Sequence, residues 1–206
     1  MEPFTTFTAI AAPYYQPDVD TDKIIPHRYL RKPLAAGYRN FLFYNERFAP
    51  DGTVKPDFIL HRAPYDKAGI LVSGHNFGCG STREGAIYAL ADFGFRAVIA
   101  PGFGDIFYAN CLQNGLLPVI LPEAVVAALA QHAEQHPGAT VAIDLIAQTV
   151  TTPDGAVHRF EIDAARKDQL LRGLDDIGIT LTEREAIDRF EADYHKRLYW
   201  LAGKPA

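Results

Sequence analysis

A chain of 206 residues with 48% hydrophobic and 22% charged side chains has the balance of a soluble globular protein, sufficient for one large domain with a modest extension. The formal net charge of −5, with no block of Lys or Arg, excludes nucleic acid as the main partner, because neutralising phosphates takes a basic face. An anionic substrate must then be held by a few local arginines, since no global field draws it in.

The opening Met1-Glu2-Pro3-Phe4 has neither a basic nor an apolar leader region, so no secretory signal is expected. Apolar runs such as Ala124 to Ala130 are too short to span a bilayer, and no membrane partner is expected. Cys79 and Cys111 form neither a C-x-x-C pair nor a disulfide framework, which points to a reducing, cytoplasmic compartment. Two thiols are also too few for an iron–sulfur cluster, and no metal-ligand set is expected on this chain.

In chain order, Phe4 to Ala11 alternates as an opening strand, and Asp18-Val19-Asp20-Thr21-Asp22 is an acidic turn. His27 to Pro64 is irregular but rich in aromatics, with a turn signal at Pro50-Asp51-Gly52, and reads as a segment packed or mobile over a site. From Ile70 an α/β rhythm begins. Strands at Ile70–Val72, Ala97–Ala100 and Leu117–Ile120 alternate with helices at about Thr82–Phe93, Asp105–Leu112 and from Pro122, at position N1, to about Gln135. Such alternation predicts parallel pairing through crossovers. Thr140–Leu145, Gln148–Thr152 and Val157–Ile162 then read as short antiparallel strands, with a turn at Pro153-Asp154-Gly155. A helical extension covers about 163–201. In it Thr182-x-x-Glu185 has the spacing of a capping box, and Ile187, Phe190, Tyr194, Leu198 and Leu201 share one helix face.

The chemistry concentrates in Ser73-Gly74-His75-Asn76-Phe77-Gly78-Cys79-Gly80-Ser81-Thr82-Arg83-Glu84. Gly78 and Gly80 permit a sharp turn between strand and helix, and the free N–H groups of the helix start suit an anion. Arg83 can grip a carboxylate with two hydrogen bonds. A nucleotide phosphate fits less well, because the P-loop lysine and the G-x-G-x-x-G spacing are both missing. Ser81 has two readings: the N-cap of a Ser81-x-x-Glu84 capping box, or a reacting hydroxyl. Cys79 reads as a small residue packed beside the turn, with nothing local to make it a thiolate, and His75 as a structural or surface histidine.

The run Asn76-Phe77-Gly78-Cys79-Gly80-Ser81-Thr82-Arg83-Glu84 closely resembles the signature of the aconitase swivel-domain family, and within it the separate small subunits of bacterial 3-isopropylmalate dehydratase. Asp20-Thr21-Asp22-Lys23-Ile24-Ile25-Pro26, Phe103 to Asn110 and Asn114 to Val119 extend the resemblance in the expected order, and Gly173 to Gly178 looks like the family's C-terminal region. The resemblance implies a swivelling β/β/α domain that docks on a large subunit carrying a [4Fe–4S] cluster. There one open iron acts as a Lewis acid on the substrate hydroxyl and a carboxylate. It implies a hydro-lyase that isomerises 2-isopropylmalate to 3-isopropylmalate in leucine biosynthesis, with a small hydroxy-dicarboxylic acid as substrate. By position Ser81 matches the base and Arg83 the carboxylate ligand, with Thr82 and Gly80 beside them and Asp22 in the site's hydrogen-bond network.

His27-Arg28-Tyr29-Leu30-Arg31-Lys32 falls where the family places its substrate-discriminating loop. Tyr29 and Leu30 are then expected against an alkyl group and Arg31 near a carboxylate. A solvated basic loop is the alternative. Likewise Asp18, Asp20 and Asp22 either join the site or cap a turn. The sequence departs from the family at Gly85, where a histidine is usual, which leaves open a related hydro-lyase for another branched or methylated diacid, or a non-catalytic carboxylate-binding subunit. A glycine in the first helical turn costs about 1 kcal/mol relative to alanine, so close packing or room for a ligand is expected there.

Overall fold

The computed structural model describes residues 1–200, apart from the side chain of Leu34. Its centre is a seven-stranded sheet in the order β4-β3-β2-β1-β5-β6-β7, formed by β1 (Thr6–Tyr14), β2 (Ile70–Ser73), β3 (Ala97–Ala100), β4 (Leu117–Ile120), β5 (Thr140–Asp144), β6 (Thr149–Thr151) and β7 (Val157–Arg159). The nine-residue β1 serves both halves. Ala11 to Tyr14 pair parallel with Ile70 to Ser73, while Thr6 to Ile10 pair antiparallel with Asp144 to Thr140. The parallel rhythm and the antiparallel tail expected from the sequence therefore meet on one strand.

The parallel strands are buried on both faces, which is why they read as continuous apolar runs. Their side chains still alternate. Ala11, Ile70, Val72, Ala97 and Ile99 face one core, shared with Val126, Leu129, Ala130 and Ala133 of helix α5 (Glu123–Gln135). Ala12, Leu71, Val98 and Ala100 face the other, shared with Ala86, Ile87 and Leu90 of α3 (Gly85–Phe93). Pro118 sits within β4, an edge strand, where a missing N–H is tolerated. Pro122 is the N-cap of α5, one place before the expected N1.

The segment after β1 holds two single-turn helices, α1 (Thr21–Ile24) and α2 (Tyr44–Arg47), joined by short 3₁₀ turns. It is packed. Tyr38, Leu42, Phe43 and Leu60 are buried, and rings stack in pairs such as Tyr29 on Phe41 at 4.4 Å and Tyr14 against Phe43 at 4.7 Å. Helix α4 (Asp105–Gln113) links β3 to β4, and α6 (Ala164–Arg172) starts at Asp163, whose Oδ1 accepts from Ala165 and Arg166 N–H at 3.0 Å. Leu170 of α6 is fully buried, and its carbonyl accepts from Phe4 N–H at 2.8 Å.

Met1–Gly173 form one compact unit, and the chain from Leu174 onward forms a second. The second holds α7 (Asp176–Thr182) and α8 (Arg184–Arg197). The expected Thr182–Glu185 capping box does not form. Thr182 closes α7, its hydroxyl donating to Ile179 O at 2.6 Å, and α8 starts after Glu183 with no side-chain cap. The apolar stripe is present on α8, with Ile187, Phe190 and Tyr194 all exposed and Phe190 stacked on Tyr194. Leu201, its last expected member, lies outside the described residues.

Candidate active site

Beyond their C-terminal ends the parallel strands continue as three loops fastened side by side. Gly78 N–H donates to Val19 O at 2.7 Å and Thr21 N–H to Cys79 O at 3.0 Å. Phe77 N–H donates to Gly102 O at 3.0 Å, and Gly104 N–H returns to Phe77 O at 2.9 Å. The Asp20–Thr21, Phe77–Gly80 and Gly102–Gly104 segments thus come from distant parts of the sequence to one edge of the sheet, where open α/β sheets form their ligand sites. A cleft of about 350 Å³ lies there, lined by Asn76, Gly80, Ser81, Phe103, Asp105 and Ile106 among others. A larger cavity of about 520 Å³ lies between α5 and the β6–β7 hairpin, lined in part by His132 and His158. None of the sequence-assigned site residues reaches it.

Two glycines shape the first loop. Gly78 has φ +74°, and a Cβ there would come 2.2 Å from the ring of Phe107, so both backbone and space demand glycine. Gly80 has φ +96° with no contact under 3.7 Å, so its backbone alone requires it. Asn76 and Asp18 also adopt left-handed φ, at 59° and 52°, and Asn76 Nδ2 donates to Asp18 Oδ1 at 2.8 Å. Asp18 is therefore a turn-holding residue.

The expected helix start at Thr82 and the Ser81–Glu84 capping box are both corrected. Helix α3 starts at Gly85, after Glu84, with no side-chain cap. The Glu84 carboxylate instead accepts from Tyr88 OH at 2.7 Å. Tertiary partners draw Ser81, Thr82 and Arg83 away from the helix. Ser81 N–H donates to Thr21 Oγ1 at 3.3 Å, Asn110 Nδ2 to Thr82 O at 3.3 Å, and Arg83 reaches Asp22. Ser81 is half-buried at the cleft, and its hydroxyl caps no helix.

Arg83 and Asp22 form a two-pronged ion pair. Arg83 NH1 meets Oδ1 and NH2 meets Oδ2 at 3.2 Å, while Arg83 Nε is buried without a partner. The hydrogen bond from Arg83 lowers the Asp22 pKa, helped by charge and by His27 N–H, which donates to Oδ1 at 3.1 Å, and desolvation opposes it. Burial, then the nearby Asp20 and Asp18 carboxylates, push the Cys79 thiol up, so it stays protonated at neutral pH. His75 is exposed.

The His27–Lys32 residues divide. Leu30 packs over the start of α3, with Cδ2 where a Gly85 side chain would begin. Tyr29 packs among aromatic rings, stacked on Phe41 and tilted on Tyr44 at 4.8 Å. Arg31 is exposed. Of the expected residues, Gly80 and Ser81 line the cleft, Arg83 pairs with Asp22 and Leu30 packs on Gly85, whereas Thr82 is exposed and the Tyr29 ring is engaged by Phe41 and Tyr44. Thr21, Asn110 and Tyr38 escape sequence reasoning as site-shaping residues. Thr21 and Asn110 lie inside quoted motifs, but their hydrogen bonds span 60 and 28 residues of chain and leave no local spacing to read.

A [4Fe–4S] cluster does not fit the donors of this chain. Cys111 is fully buried, its thiol pushed well up by that burial, and Cys79 is protonated. Among the described residues no group of three or more His, Cys, Asp or Glu side chains is placed to hold a metal ion.

A mixed sheet with a Gly-Ser-Thr-Arg loop at its parallel edge and a facing Asp-Thr-Asp turn defines an aconitase-type swivel domain. A family model for the aconitase C-terminal domain matches residues 1–124, and one described as LeuD_N matches residues 127–164. The chain is 50% identical to the 3-isopropylmalate dehydratase small subunit of Gluconacetobacter diazotrophicus, over 97% of both chains. It is 51% identical to that of Phenylobacterium zucineum, over 98% of this chain and all of the relative. A crystal structure of 3-isopropylmalate dehydratase from Methanocaldococcus jannaschii superposes with a TM-score of 0.63 at 27% identity, covering 90% of this chain and 99% of the other. The chain belongs to the aconitase C-terminal domain family, in its branch of separate 3-isopropylmalate dehydratase small subunits.

Proposed function

We propose that this chain is the small subunit of a cytoplasmic hydro-lyase that isomerises 2-isopropylmalate to 3-isopropylmalate in leucine biosynthesis, with Ser81 as base and Arg83 as carboxylate ligand. The observation that carries the site assignment is the pairing of Arg83 with Asp22 beside a Ser81 hydroxyl released from any helix cap. Asp22 occupies the guanidinium fork and holds it in place before substrate arrives, and a substrate carboxylate then takes the outward N–H groups of the two terminal nitrogens or displaces Asp22. Ser81 takes the proton from the carbon next to the one bearing the hydroxyl. Loss of water gives an unsaturated diacid, and water added the other way round gives the isomer. Serine is a weak base, so its alkoxide must be stabilised by nearby N–H groups and by the Arg83 charge. The [4Fe–4S] cluster belongs to the large subunit, and this chain supplies the base, the carboxylate grip and the wall of the site. Gly80 lines that wall, with Thr82 and Arg31 exposed on the first loop and on the 27–32 segment.

The test is co-expression with the large subunit, anaerobic reconstitution, and enoate absorbance with 2-isopropylmalate, citraconate and maleate. Turnover of 2-isopropylmalate supports the reading. Turnover of the methylated diacids alone would move the chain to a related hydro-lyase, the second reading that Gly85 raises. No turnover in a complex with an intact cluster would leave a binding subunit.

A further inference from the structure

Gly85 is a glycine for reasons of space. It is buried at the first position of α3, and its backbone is helical, a conformation every residue adopts. A Cβ at this position would lie 2.8 Å from Leu30 Cδ2, 3.5 Å from Tyr38 Cε1 and 3.9 Å from Ile25 Cγ2. Carbon atoms settle at about 3.5–4.0 Å, so a side chain at Gly85 would have to push the terminal methyl of Leu30 aside.

The same segment is gripped by Tyr38. Its phenol is buried, and the hydroxyl reaches Lys32 O at 3.0 Å and Leu30 O at 3.4 Å. The Tyr38 ring stands edge-on to Tyr88 at 6.0 Å, and Tyr88 OH is bonded to Glu84, the residue before Gly85. At the other end of the segment, His27 N–H donates to Asp22, the partner of Arg83. The result is a closed circuit: Arg83 to Asp22, Asp22 to His27, then Leu30 onto Gly85, two residues along from Arg83. Leu30 is thereby anchored on the backbone two residues along from the arginine that pairs with Asp22.

We infer that Gly85 and Tyr38 are positioning residues that seat Leu30 over the start of α3 and so set the room for the alkyl group of the substrate. This rests on the proposed reaction, and neither residue touches the reacting atoms. One missing or added methylene in an apolar pocket changes discrimination by about 10–200-fold, the scale on which a moved leucine acts.

The test uses the reconstituted complex carrying Gly85→Ala, Tyr38→Phe, Leu30→Ala and the Gly85→Ala/Leu30→Ala pair. The readout is the ratio of kcat/KM for 2-isopropylmalate to that for citraconate. Gly85→Ala and Tyr38→Phe are each expected to change the ratio about tenfold or more. The Gly85→Ala effect should vanish in the Leu30→Ala background, where the clashing methyls are gone. A ratio unmoved by either single variant, or an effect of Gly85→Ala that persists without Leu30, overturns the inference. A second readout is independent of the reaction. Arg28 and Arg31 are exposed tryptic sites in the seated segment, so cleavage there should accelerate in Gly85→Ala and Tyr38→Phe and return to the Leu30→Ala rate in the double variant. Unchanged cleavage sinks the seat whatever the substrate proves to be. Changed cleavage with no turnover of 2-isopropylmalate sinks the proposed reaction and leaves the seat standing.

Discussion

Ser81 is held through its backbone N–H, which donates to Thr21, and the residue lines the cleft. Removing the hydroxyl should therefore leave the loop in place. Ser81→Ala is expected to bind the large subunit normally and lose about 10²–10⁴-fold in kcat, the scale of a lost general base. Gel filtration of the complex and enoate absorbance check the two halves, and near-normal turnover would reduce Ser81 to a structural role. Asp22 carries a pH signature. Its folded pKa lies below the ordinary carboxylate value, so its stabilising effect is present above that value and lost as pH falls through the lowered one. Asp22→Asn should lower the urea midpoint at pH 7, and the two midpoints should converge as pH falls through the lowered value and the wild-type carboxyl takes up its proton. A gap that persists in acid would mean that the ion pair is not its source. Asp22 is largely exposed, so the difference at pH 7 should be small.

At the scale of elements, the tightest junction is the first loop against α4. Gly78→Ala would place a methyl against Phe107 and force alanine to φ +74°. Overpacking and the left-handed backbone together should cost roughly 2–4 kcal/mol, readable as a lower urea midpoint with an unchanged slope. A variant as stable as wild type would show that the loop can shift away from α4. The parallel strands were legible because burial on both faces leaves nothing but apolar residues, and Ile70-Leu71-Val72 and Ala97 to Ala100 say so directly. The start of α3 was not. Ser81-x-x-Glu84 satisfies a local rule, and the partners that override it, Thr21, Asp22 and Asn110, lie elsewhere in the chain. The same holds for Tyr29, whose ring chose Phe41 and Tyr44 through contacts that no periodicity encodes. Gly85 was legible as a cost in a helix, and its cause, Leu30, emerged from the packing.

For the whole molecule, every residue of the two buried clusters, and every partly buried hydrophobic packed on them, precedes Leu174. The seven strands, both faces of the sheet and the Ser81 loop share that first unit. The residues that follow supply a seven-residue α7 and a fourteen-residue α8 whose apolar side chains Ile177, Leu181 and Phe190 are exposed. Isolated helices of this length are marginal in water, and among the described residues after Gly173 no side chain joins either buried cluster. A chain ending at Gly173 should therefore still fold, with a cooperative thermal transition within a few degrees of the full-length midpoint, since a shift that small corresponds to about 1 kcal/mol. Circular dichroism of the two chains checks it. Loss of the cooperative transition would place a necessary part of the fold after Gly173, whereas its retention lets the shortened chain be titrated with the large subunit to ask whether the exposed apolar side chains of α7 and α8 contribute to assembly.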